Sequence, residues 1–117
     1  MRLFPDKFKL ALTRDLTLAD FHDRMAELRG DRTVVRLHEP LRYGVFSGRE
    51  LSFADAARFV DRAASALRDL GVKPGERVGI NTSNNVDLPL LVFAITRAGA
   101  MAVPMNYMLK AREMEYI

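Results

Sequence analysis

The sequence predicts an α/β fold in which a buried helix crosses between two parallel strands. Three observations point to it. Val86 to Ala98, read as a helix, carries Leu88, Leu90, Leu91, Val92, Phe93 and Ile95 around its whole circumference, with only Asp87, Thr96 and Arg97 clearly polar. A helix apolar on every side has to be buried on more than one face. On either side lie Arg77-Val78-Gly79-Ile80 and Ala100-Met101-Ala102-Val103, short apolar runs bounded by Gly, Pro and Asn. A strand, a long crossover and a second strand make a parallel pair. Burying six such side chains contributes about 9 to 18 kcal/mol gross, at roughly 1.5 to 3 each. That matches the net stability of a whole domain, about 5 to 15 kcal/mol. The expected boundaries are a strand at about 76–82, a helix at about 86–98 and a strand at about 100–104.

The preceding segments add two amphipathic helices and a small antiparallel element. Thr17 with Asp20 is a capping pattern, and Leu18, Phe21, Met25 and Leu28 follow at helical spacing until Gly30, predicting a helix over about 18–29. Thr33 to Leu37 and Tyr43 to Phe46 are β-rich runs on either side of a proline-containing turn at His38 to Arg42. With Arg49-Glu50-Leu51 they predict antiparallel pairing over about 33–51. Ser52 and Asp55 form a second capping pattern. The stripe Phe53, Ala56, Ala57, Val60, Ala64, Leu67, Leu70 then predicts a helix over about 53–70, closed by Gly71. Residues 1 to 16 form a lead-in in which Arg2, Lys7, Lys9 and Arg14 alternate with Leu3, Phe4, Phe8, Leu10 and Leu12. The plain reading packs its Phe and Leu on the body of the protein. A sharper one places a basic amphipathic segment against a membrane surface or a second subunit.

Composition narrows the function classes. Of 117 residues, 49% are apolar and 28% charged, which excludes a disordered chain. The absence of cysteine removes a disulfide framework, a thiolate metal site and a cysteine nucleophile together, and suits the cytoplasm. A net charge of +3 comes from basic residues interleaved with acidic ones on helix faces, as Arg58 and Arg62 are with Asp55 and Asp61. Nucleic-acid binding is therefore not expected. No apolar run reaches the roughly 18 residues of a membrane span.

Chemistry is sparse. Gly71, Gly75 and Gly79 do not make a dinucleotide fingerprint, and no glycine-rich loop followed by Lys and Ser or Thr cradles phosphates. His22 and His38 lie on different elements without ligand-spaced partners, and are read as exposed or hydrogen-bonded side chains. Asp55 and Asp61 stand six apart on one helix, pointing to different sides, so they are not an acid pair. The one polar cluster placed to meet a ligand is Asn81-Thr82-Ser83-Asn84-Asn85, between a strand end and a helix start. With no cation or glycine beside it, the favoured reading is that Asn85 caps the helix and the rest turns the chain. Met101, Met105 and Met108 are read as core filling.

The run LSFADAARFVDRAASALRDLGVKPGERVGI, followed by NTSNNVDLPLLVFAITRAGAMAVPMN, resembles the N-terminal subdomain of the adenylate-forming (AMP-binding) superfamily, most closely the acyl-CoA synthetases. The resemblance rests on Leu70-Gly71-Val72, Lys73-Pro74-Gly75-Glu76-Arg77-Val78, Arg97-Ala98-Gly99-Ala100 and Val103-Pro104-Met105-Asn106, in that order, with Glu113-Met114-Glu115-Tyr116-Ile117 after them. It departs at Lys110, where a Thr or Ser cap is common, and at Pro89 inside the first turn of the crossover helix. The resemblance implies a parent enzyme that uses ATP and magnesium to turn a carboxylic acid into an acyl-adenylate, releases pyrophosphate and passes the acyl group to coenzyme A. Fatty acids are the expected substrates, in the cytoplasm or peripheral to a membrane.

None of the family's catalytic motifs has a counterpart here, so no catalytic, cofactor-binding or metal residue is assigned. Residues 17–117 are read as an incomplete N-terminal subdomain, inactive alone, whose partner is the remainder of the enzyme or another copy. The alternative is a truncated, non-catalytic interaction module. In either case Leu88 to Ala98 and its sheet are expected to need cover.

Overall fold

The computed structural model describes residues 15–43 and 46–117. The basic lead-in lies almost wholly outside the described residues. The chain divides into two compact units, residues 1–58 and 59–117.

In the first unit, α1 (Phe21–Arg29) is followed by β1 (Thr33–Tyr43) and β2 (Phe46–Ser52), which pair antiparallel. Two expectations are corrected. The Thr17 pattern does not start the helix: Thr17 Oγ1 donates to Asp20 Oδ2 at 2.6 Å and the Asp20 amide to the Thr17 carbonyl at 3.2 Å. That closes a turn ahead of α1, and leaves Leu18 56% exposed rather than in a core. Nor does the chain turn at His38 to Arg42. β1 runs on through Pro40, and the ladder absorbs the missing donor in an irregularity between Arg36, opposite Glu50, and Leu41, opposite Gly48. The Glu50 carboxylate accepts bonds from Thr33 Oγ1 at 3.1 Å and Arg36 Nε at 2.7 Å across the strands.

The next helix, α2 (Phe53–Asp69), begins as its capping pattern requires. Ser52 Oγ accepts the Asp55 amide at 3.1 Å, and Asp55 Oδ2 accepts the Ser52 hydroxyl at 2.8 Å and its amide at 3.3 Å. The amides of Phe53 and Ala54 donate to the carbonyls of Arg32 and Gly30, so first-turn donors that a helix cannot satisfy internally find partners in the segment before β1. Ala56, Ala57, Val60 and Ala64 are buried, as the stripe predicts, but Leu70 is 82% exposed because it occupies the helix cap.

The second unit holds the parallel pair: β3 (Arg77–Asn81), α3 (Asp87–Arg97) and β4 (Met101–Met105), then a short α4 (Ala111–Tyr116). Strands β3 and β4 pair in register from Arg77 opposite Met101 to Asn81 opposite Met105. Ile80, Ile95 and Ala100 form the buried centre, with Leu67, Val72, Val78, Leu88, Leu91, Val92 and Ala102 packed around it. Pro89 falls in the first turn of α3, where its missing N–H is one the helix would leave unpaired. At α4, Glu113 accepts the Lys110 amide at 2.8 Å, while the lysine ammonium has no acceptor to return.

Helices α2 and α3 end by the same device. Gly71, at φ +96°, donates to the Arg68 carbonyl and Val72 to that of Leu67. Gly99, at φ +89°, donates to Thr96, and Ala100 to Ile95. These are two Schellman closures, each with an apolar residue beyond the glycine folded back on the last turn. The second explains why β4 starts at Met101 rather than Ala100: the Ala100 amide is spent on the helix. Lys73-Pro74-Gly75-Glu76 is a turn with Gly75 at φ +84°, closed by the Glu76 amide to the Lys73 carbonyl. Gly75 then donates to the Gly99 carbonyl at 2.8 Å, and Met101 to that of Glu76 at 2.7 Å, which aligns the two strands.

A Cβ at Gly99 would meet Pro74 Cβ at 3.3 Å, whereas at Gly71 it would meet open space. Gly71→Ala should therefore cost about 1 to 2 kcal/mol from the left-handed backbone alone, and Gly99→Ala more, measured by urea denaturation. Equal losses would contradict the Pro74 contact.

Candidate functional site

Ligands of α/β sheets sit beyond the carboxyl ends of parallel strands, where backbone amides and loop side chains converge. Here that edge is made by Asn81 at the end of β3, by Thr82 to Asn85 after it and by Asn106 after β4. The polar side chains are mostly occupied with the chain itself. Asn85 Oδ1 accepts the Asp87 amide at 3.0 Å, and its Nδ2 lies 3.4 Å from both Thr82 Oγ1 and Ser83 Oγ. Asn106 Oδ1 accepts the Met108 amide at 3.0 Å. Asn81 Nδ2 stands 2.9 Å from the Met114 sulfur. The expectation that Asn85 caps the helix is corrected: the cap of α3 is Val86, without a side-chain bond, and Asn85 accepts the first helical amide from one position before it. The arrangement offers amide and hydroxyl groups in solvent, but no cation for a triphosphate and no carboxylate cluster for a divalent ion. Among the described residues no group of three or more His, Asp or Glu is placed to hold a metal.

The other candidates are dispersed. Asp55 is engaged by Ser52 and forms an ion pair with Arg58; these partners, Ser52 foremost, hold its carboxyl below the usual range. Asp61 pairs instead with Arg97 at 2.7 Å, so the two acids serve different contacts. Arg68 Nη1 reaches the Arg97 carbonyl at 3.4 Å, placing a cation at the C-terminal end of α3. His38 is exposed on β1. Gly79 leaves room for Met105, whose terminal methyl would lie 2.9 Å from an added Cβ. Met105 is half-buried, but Met101 and Met108 are 48% and 72% exposed, which corrects the expectation that they fill a core.

His22 is the buried polar residue that the sequence did not single out as buried: 4% exposed and edge-on to Phe21 with ring centroids 5.4 Å apart. Burial lowers its pKa from about 6.5, opposed in part by the negative charge of Asp23.

Residues 22–117 fit the model of the AMP-binding enzymes. The chain belongs to this family. Among its relatives, the mitochondrial medium-chain acyl-CoA ligase of Mus musculus is 33% identical over 103 residues, which are 88% of this chain and 14% of that protein. A long-chain-fatty-acid-CoA ligase from Archaeoglobus fulgidus superposes with a TM-score of 0.75 at 32% identity, over 87% of this chain and 20% of that one. An anthranilate CoA ligase solved with anthranoyl-AMP gives 0.73 at 26% identity, over 97% of this chain and 20% of that one. The chain therefore has the fold of the N-terminal portion of adenylate-forming enzymes and spans about a seventh to a fifth of these relatives' length.

Two measurements test these assignments. Asn85→Ala should cost about 0.5 to 2 kcal/mol through the lost bond at the start of α3, against little change for Asn84→Ala; equal values by urea denaturation would remove the structural role. Because the folded pKa of His22 is lowered, folding disfavours its protonation, so its contribution is fully present above the unfolded value and lost as pH falls below about 6.5 towards the folded value. Urea denaturation should show stability falling from pH 7.5 to 5.5, with a smaller slope in His22→Leu; an unchanged slope contradicts this.

Proposed function

We propose that this chain forms the N-terminal part of an ATP-dependent acyl-CoA synthetase acting on a fatty acid. The observation that carries the reading is the match of residues 22–117 to the AMP-binding enzymes. In such an enzyme a carboxylate oxygen attacks the α-phosphorus of ATP and expels pyrophosphate, and the thiol of coenzyme A then takes the acyl group and releases AMP. Residues 17–117 contribute an incomplete subdomain, a packed β-α-β unit rather than the reacting groups. The choice of a fatty acid is supported by the medium-chain and long-chain ligases among the relatives. The principal partner is then the remainder of the ligase, meeting the apolar side chains left exposed at Met101, Tyr107, Met108 and Tyr116. The enzyme works in the cytoplasm or at the periphery of a membrane. No helix among the described residues is long and apolar enough to cross one.

The test pairs an isolated chain with a chimera. Incubated with ATP, magnesium and medium-chain, long-chain and aromatic acids, residues 1–117 should release pyrophosphate at the background rate. Substituted for the matching portion of the Archaeoglobus fulgidus ligase, they should support acid-dependent release. Activity of the isolated chain, or a folded chimera without activity, would overturn the reading.

A further inference from the structure

We draw no further inference here: the strongest candidate, the exposed apolar surface patch of Met101, Tyr107 and Met108 on β4 and the segment after it, carries nothing beyond the partner already proposed because nothing in the structure shows what covers it.

Discussion

The second unit depends on keeping Ile95 dry. Two parallel strands cannot be joined by a tight turn, so the chain has to leave the sheet and return, and the returning element must pack on it. Helix α3 does this by placing Ile95, 2% exposed, against Ile80 of β3 and Ala100 just before β4. Replacing such an isoleucine by alanine typically costs about 2 to 5 kcal/mol, a large share of a small unit's stability. Around it the backbone is fixed by donors with single destinations: Ala100 to Ile95, Gly75 to Gly99, Met101 to Glu76. The glycines at 71, 75 and 99 permit that path, since each has a positive φ that a side chain would strain.

The β-α-β unit was legible because its signals agree at every level. An all-round apolar helix, β-rich runs of about five residues, and glycines at both helix ends leave few other arrangements. The edges were less legible for local reasons. Thr17 and Asp20 have the chemistry of a helix cap and use it to close a turn one step earlier. Pro40 looks like a turn residue, yet a ladder irregularity carries it within β1. Leu70 continues the helical spacing of α2 but falls on the cap, where the chain has begun to turn away. The large apolar side chains of α3 other than Pro89 are buried or half-buried, while Met101 on its sheet and, away from it, Leu18, Leu70, Tyr107, Met108, Tyr116 and Ile117 are exposed.

The polar loop was legible in position. Five polar residues between a strand and a helix mark the carboxyl edge of a sheet, and Asn85 is a residue type that caps. Spacing could not reveal how the remaining groups are spent, because Asn81 against Met114 joins segments 33 residues apart. His22 escaped for a related reason. Leu18, Phe21, Met25 and Leu28 suggest one buried face, but Leu18 falls in the turn ahead of α1 and is exposed, while α1 buries His22.

The central claim is that β3, α3 and β4 form one cooperative body around Ile95. Amide hydrogen exchange followed residue by residue tests it most directly. The account predicts that the amides of Ile95, Ala100 and Met101 exchange slowly and with a shared opening free energy, far behind that of Asn84 in the loop. Exchange of Ala100 and Met101 at the Asn84 rate would contradict it.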